Sequence, residues 1–280
     1  HIHNTASQCN FGGSIFGNGR NSDNNGFQGA ARRVFYGVKM ECDNPNNNNL
    51  EMFYSPLGNM TMCEGRFHPT IYAGRYKSCF RANGSFYTSF DTCVAVGNGS
   101  SAGAAPDSIG GSRTAFLTGE PHANNVVNCI GYNHGGHFLH MGTSSSTTRQ
   151  NLLFCNNTGI SLGGHFMDSS GEVSDENVAE SFNANLCYKV AGKVFRDKNN
   201  NPNTDHGNFF EIAYGDVGGT FENLSMLPTR EISGVSASDF VDFDNQDFRI
   251  RRDSPLYKGT LARRNFGALQ NEDFEFTSVS

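Results

Sequence analysis

Hydrophobic positions in this chain come in short bursts. Runs such as RVFYGVKM (33–40), NVVNCIGY (125–132), HFLHM (137–141), NLLFC (151–155) and KVFR (193–196) are rich in β-branched and aromatic residues and are bounded by Asn, Gly and Ser clusters. That is the pattern of short strands separated by turns. No stretch sustains a helical apolar period over three turns. The best helix candidate is SDENVAESFNANL (174–186), opened by a Ser or Asp cap, and it is expected to form a short helix in a loop. The polar tracts NSDNNG (21–26), NPNNNN (44–49), GNGSSAGAAPDSIGGS (97–112), GTSSSTTRQ (142–150) and DKNNNPNTDHGN (197–208) read as loops rather than linkers. A single domain over 1–280 is therefore expected, with 1–120 irregular or made of less clearly marked coils, 121–235 carrying the clearest coils, and 236–280 forming a C-terminal cap and tail.

Composition sharpens this picture. Only 17% of residues are charged, and Asn and Gly each occur 33 times, so the polarity comes mostly from uncharged turn formers. A net charge of -6 with a pI near 5.8 gives no basic field for nucleic acid or an anionic membrane. The densest basic groups are the pairs Arg32-Arg33, Arg251-Arg252 and Arg263-Arg264. No apolar run is long enough to span a bilayer. A chain opening at His1 reads as processed or trimmed. Five sequons, at Asn59, Asn83, Asn98, Asn156 and Asn223, are candidate glycosylation sites if the protein is secreted.

The eight cysteines form an even set, at 9, 42, 63, 79, 93, 129, 155 and 187. Their contexts, NMTMCEG, GRYKSCFRANG, SFDTCVAVGNG, NVVNCIGYNHG, QNLLFCNNTG and ANLCYKVAG, each set Cys in a short β-prone run with Asn or Gly soon after. This suggests one structural position visited repeatedly. The steps of 26 and 32 from Cys129 to Cys155 to Cys187 suit a β-solenoid of about 20 to 30 residues per turn, with the thiols stacked as a buried ladder. No disulfide is expected among these three. The steps of 16 and 14 between Cys63, Cys79 and Cys93 are too short for a turn and leave room for a disulfide there.

NCIGYNHGGHF (128–138) and FCNNTGISLGG (154–164) resemble the coil repeats of secreted right-handed parallel β-helix proteins, the pectate-lyase-like superfamily. FVDFDNQDFRIRRDSPLYKGT (240–260) is similar to the segment that often ends such chains in bacterial polysaccharide lyases. The resemblance implies an all-β right-handed parallel β-helix with long loops and a C-terminal cap, and a groove that binds extended polysaccharide. It also implies, for lyases, a Lys or Arg base that removes the proton α to a uronate carboxylate, often with Ca2+ held by Asp or Glu. Hydrolases of the superfamily use paired Asp. Here Ser161 stands where a related lyase strand carries Lys, and no paired Asp falls on a recognisable strand.

The candidate site follows from spacing. Gly136-His137-Phe138-Leu139, Gly164-His165-Phe166-Met167 and Gly192-Lys193-Val194-Phe195 recur every 28 residues. In that register His137, His165 and Lys193 form one row, and His140, Asp168 and Arg196 a second. A competing register of 22 pairs His137-Phe138 with Gly159-Ile160. Such rows suit an anionic sugar chain, with Lys193, Arg196 and His165 as candidate catalytic groups and His137, His140, Tyr132 and Asp168 as substrate contacts. The bland alternative is a set of exposed polar positions on an ordinary coil. A metal at Cys129, His134, His137 and His140 is disfavoured, because side chains three apart on a strand face opposite ways and the spacing fits no zinc pattern. His1 and His3 could bind copper through a free amine, but nothing else supports that. Ca2+ is the more plausible ion, in the Asp- and Asn-rich loops.

Nucleophile-elbow, zincin and P-loop motifs are missing, and there is no Trp, although 24 Phe and 9 Tyr remain for stacking. Two functions are therefore expected to compete. One is a secreted β-helix that binds an acidic extracellular polysaccharide, with cleavage by β-elimination as the reaction it would carry out there; the other is a non-catalytic structural or adhesive β-helix capable of self-association.

Overall fold

Residues 125–141 show how one coil is made. Asn125–Val127 is a strand, Asn128 bends the chain with φ 55°, and Ile130–Tyr132 is the next strand. Asn133, at φ 57°, then opens a bend through Gly135 and Gly136, after which Leu139–Met141 forms the third strand. Asn suits both bends because its short side chain tolerates the left-handed conformation. The computed structural model describes residues 3–6, 27–28, 33–37, 39–42, 50–55, 58–67, 76–82, 85–86, 89–99, 113–118, 121–122, 125–141, 152–169, 178–197, 204–205, 210–222 and 228–268.

Stacked on this coil, equivalent strands pair in parallel into three ladders. The first includes Arg33–Tyr36, Gly58–Thr61, Ser89–Asp91, Asn125–Val127, Leu152–Cys155 and Val178–Asn183. The second includes Lys39–Cys42, Glu64–Phe67, Val94–Val96, Ile130–Tyr132 and Thr158–Leu162. The third includes Leu50–Ser55, Tyr76–Ala82, Thr114–Thr118, Leu139–Met141 and Met167–Ser169. Asn185–Asp197 runs through the second and third ladders and joins them into one 15-stranded sheet. The architecture is thus all-β, parallel and solenoid-like. Among the described residues the one antiparallel pairing is Phe240–Asp242 with Asp247–Ile250, and there is no α-helix, only a single 3-10 turn at Ala237–Asp239.

The expected helix over 174–186 is corrected by this topology. Val178–Asn183 is a strand paired with Leu152–Cys155, and Phe182 packs between Phe154 and Phe210 in the core. Pairing on the first ladder outweighs a weak local helix signal.

The cysteine ladder is corrected in part. Met62, Thr92, Asn128, Asn156 and Ala184 all bend left-handed, at φ 54–55°, and the residues after them stack: Cys63, Cys93, Cys129, Asn157 and Asn185. Cys155 pairs with Val127 and Cys187 with Gly159, so the three cysteines expected to share a position occupy three different ones. Cys79 sits on the third ladder between Cys63 and Cys93, which explains two short spacings that together make one coil. Cys63, Cys79, Cys93, Cys129, Cys155 and Cys187 are all free thiols. At the shared position thiol and amide do the same work. Cys93 Sγ donates to the Met60 carbonyl and Cys129 Sγ to Phe90, while Asn157 Nδ2 donates to Val126 and Asn185 Nδ2 to Phe154, always one coil down.

Phenylalanine fills much of the interior. Phe53, Phe80, Phe116, Phe138 and Phe166 stack along the axis with centroids 4.7–5.1 Å apart, and Phe90, Phe154, Phe182 and Phe210 flank them. A second apolar cluster lies on the far side of the second ladder. There Ile130, Ile160, Leu186 and Ala213 are covered by Val235, Phe240, Phe248, Leu256 and Phe266 from the C-terminal segment.

Candidate functional site

On the third ladder the 28-residue register holds. Leu139 pairs with Met167 and Met167 with Phe195, so His137, His165 and Lys193 occupy equivalent places, and His140, Asp168 and Arg196 pair directly. The 22-residue alternative is excluded, because Gly159 pairs with Gly131. The second row extends further, to Arg81 and Leu117 on one side and Glu222 on the other. Glu222 escaped the sequence reading because it lies 26 residues from Arg196 rather than 28: the coil is already one residue shorter at Val190 and Val217, and the register shift between Val190 and Lys193 removes another.

The first row is built on glycine. The His165 backbone N–H donates to His137 Nδ1 and the Lys193 N–H to His165 Nδ1, both at 2.8 Å. The two imidazoles stack with centroids 5.1 Å apart and planes within 6°. Each ring covers the glycine of the next coil: a Cβ on Gly164 would lie 2.5 Å from His137 Nδ1, and one on Gly192 2.6 Å from His165 Nδ1.

At the second row three coils meet in one carboxylate. Asp168 Oδ2 lies 2.7 Å from His140 Nδ1 and 3.6 Å from His137 Nε2, and Arg196 Nε donates to Oδ1 at 2.6 Å. His137, His140, Asp168 and Arg196 are all buried. The expectation that His137 and His140 face opposite ways is therefore overturned. Residues 133–138 are bends rather than strand, so the two-residue alternation does not apply, and the rings stack 5.6 Å apart on the same side. The bland reading of exposed polar positions also fails for these four.

Burial sets the charges. It holds the His137 imidazole down to about 3, against the pull of Asp168, and His134 down to about 4. Burial opposes the charge on Asp168, but hydrogen bonds from His140 and Arg196 keep its carboxyl well below the usual carboxylate range. A carboxylate only accepts, so the His140 contact puts a proton on Nδ1 and, in the neutral ring, leaves the lone pair on Nε2. His137 and His165 have the opposite tautomer, because their Nδ1 atoms accept backbone N–H groups.

Donor chemistry decides what the cluster can hold. The ligand atoms of His137, His140 and Asp168 lie within 4.8 Å of one another, close enough for an ion. Yet His137 Nε2 carries a hydrogen, not a lone pair, while its Nδ1 bond persists, and Arg196 already neutralises Asp168. Ca2+ fits no better, since it takes six to eight oxygens and Asp168 is the only carboxylate in the cluster. The Asp- and Asn-rich loops expected to bind Ca2+ lie almost wholly outside the described residues, as do the side chains of His1 and His3.

The remaining predicted residues are dispersed. Lys193, half-exposed, is ion-paired with Glu222. Tyr132 belongs to the second ladder and packs on Phe248 with centroids 5.1 Å apart, away from the histidine rows. Of the sequons, Asn59 is exposed, Asn98 is half-buried, and Asn156 is buried with Nδ2 donating to the Asn265 and Gly267 carbonyls. Asn83 and Asn223 lie outside the described residues. Compared with models of known protein families and with the curated proteins, the chain matches none.

Proposed function

We propose that the protein is a secreted, right-handed parallel β-helix of the pectate-lyase-like kind, and that it binds a uronate-containing polysaccharide along the third ladder and cleaves it by β-elimination. The observation that carries the reading is the in-register row His140, Asp168, Arg196, flanked by His137, His165 and Lys193. The buried groups of that row repeat along the axis at the strand spacing of about 4.8 Å, and they hold in place the half-exposed Lys193 at its edge, where an extended polymer would lie. Lys193 is half-exposed, as is Arg81 further along the second row, and supplies the attraction for a uronate carboxylate at the rim.

A second reading, a structural or adhesive β-helix without catalysis, draws support from the internal pairing of Arg196 with Asp168 and of Lys193 with Glu222. Incubation with polygalacturonate, alginate and a glucuronate polymer, followed by absorbance of the unsaturated product, separates the two. The first reading expects product from at least one polymer and weaker binding of that polymer by Lys193→Ala. No product from any of them, with Lys193→Ala binding unchanged, leaves the structural reading standing.

A further inference from the structure

Within the uronate-binding reading, on which this step rests, we infer that Glu222 is a specificity-determining residue. Its carboxylate holds the Lys193 ammonium in the free protein, and only a polymer that brings a carboxylate of its own takes the lysine from it.

The arrangement is made by the last coil. Lys193 pairs with Gly219 and Arg196 with Glu222, because the strands shift register between Val190 and Lys193. Had the register of Val190 with Val217 continued, Thr220 would stand opposite Lys193. Glycine stands there instead, and the lysine stem lies along its bare backbone: a Cβ on Gly219 would meet Lys193 Cγ at 3.2 Å, Cε at 3.7 Å and Cδ at 3.9 Å. The stem so laid carries the ammonium to Glu222 Oε2 on the same strand.

Exposure makes this contact exchangeable. The side chains of Lys193 and Glu222 are 33% and 35% exposed, whereas Arg196 and Asp168 are buried. Breaking a buried pair strands a charge in the interior, but a half-exposed pair opens at little cost. Lysine suits the exchange, since its ammonium is a point charge on a flexible stem and turns from one carboxylate to another without moving the backbone. A uronate carboxylate replaces Glu222 like for like. A neutral sugar offers only hydroxyls and leaves the pair closed, so the pair selects by what it refuses as well as by what it accepts. The Lys193 contact with Glu222 is thus the one that the polymer replaces.

Glu222→Gln tests this, because it keeps the size of the side chain and removes its charge. Binding isotherms are measured for polygalacturonate, alginate and a glucuronate polymer, with dextran as the uncharged control. Glu222→Gln is expected to bind at least one of the three acidic polymers about two- to fivefold more tightly than the wild type, to lose that gain when combined with Lys193→Ala, and to leave dextran unaffected. Binding that appears only in Glu222→Gln and vanishes in the double variant is the same result in its extreme form. If the wild type binds an acidic polymer and Glu222→Gln binds it no more tightly, the assignment is overturned and the uronate reading stands. A gain that survives in the Lys193→Ala background, or extends to dextran, likewise overturns the assignment alone, since it does not come from releasing the lysine. Binding of none of the three acidic polymers by wild type and Glu222→Gln alike overturns the uronate reading together with it. Glu222→Ala takes the place of Glu222→Gln in these comparisons should the latter not fold.

Discussion

Asp168 is the residue on which the cluster turns, and two consequences follow from its surroundings. Arg196 is buried with it, so removing the carboxylate leaves a guanidinium charge without compensation, which costs about 3–5 kcal/mol in such settings. The histidines add a dependence on pH. His137 and His134 are held neutral down to about 3 and about 4 against an ordinary value of 6.5, so below that value the unfolded chain binds protons that the fold refuses. Asp168 acts in the same direction at lower pH: its depressed carboxyl stabilises the fold above the unfolded value and loses that contribution as pH falls. Stability is therefore expected to drop between about pH 6.5 and pH 4, by roughly 1 kcal/mol per pH unit for each histidine. Urea melts across that range read it, and His137→Asn, which keeps an acceptor for the His165 N–H, is expected to flatten the slope. A midpoint independent of pH, in wild type and variant alike, contradicts the buried neutral pair.

At the scale of the element, the repeating unit is Gly-His-Phe and its successor Gly-Lys-Val, and its glycines bear the load of close approach. A methyl group on Gly164 meets His137 Nδ1 and the Gly136 backbone at 2.5 and 2.8 Å, and one on Gly192 meets His165 Nδ1 and the Gly164 carbonyl at 2.6 and 2.7 Å. Backbone cannot yield as a side-chain tip can. Gly164→Ala and Gly192→Ala are each expected to lose about 1–3 kcal/mol, whereas Gly219→Ala, whose nearest neighbour is Lys193 Cγ at 3.2 Å, is expected to be near neutral. Denaturant midpoints of the three variants check the ranking; equal values remove the stacked-ring account. This repeat was legible in the sequence because its coils have equal length. The cysteines were misread for the opposite reason: Cys satisfies any small buried position, so Cys129, Cys155 and Cys187 look alike while sitting at a bend and on two different ladders. Asn157 and Asn185, the true successors of Cys129, share no side-chain chemistry with it beyond one donor to a carbonyl. The meeting of His137 and His140 was hidden by a bend that spacing alone reads as strand.

For the whole molecule, the decisive feature is that a solenoid built from parallel ladders has two faces to cover, and the phenylalanine interior covers only one. On the second ladder Ile130, Ile160, Leu186 and Ala213 point away from that interior, and the C-terminal segment lies along them, bringing Phe240, Phe248, Leu256 and Phe266 across successive coils. The motif in 240–260 announced that this segment matters, but its docking face depends on which outward residues of distant coils are apolar, and that needs the register. Polar bonds fix the placement. Asn156 Nδ2 donates to the Gly267 carbonyl, the Ala268 N–H to Thr158 Oγ1 at 2.8 Å, the Gly267 N–H to the Ala184 carbonyl at 2.7 Å, and the Leu261 N–H to Glu211 Oε1 at 2.6 Å. The left-handed bend residues Asn156 and Ala184 thus serve twice, turning the coil and gripping the strap. Each large apolar side chain so covered is worth about 1.5–3 kcal/mol, far more than the few exposed ion pairs such as Arg251 with Asp253 can return. A chain truncated after Gly234 is accordingly expected to expose a contiguous apolar strip, bind a hydrophobic dye and self-associate. Phe266→Ala, which empties one fully buried place beneath the strap, is expected to lower stability by about 3–5 kcal/mol without exposing the rest. Sedimentation and dye fluorescence test the first expectation and a denaturant melt the second; a truncated chain that stays monomeric, binds no dye and melts with the wild type shows that the segment does not hold the second ladder closed.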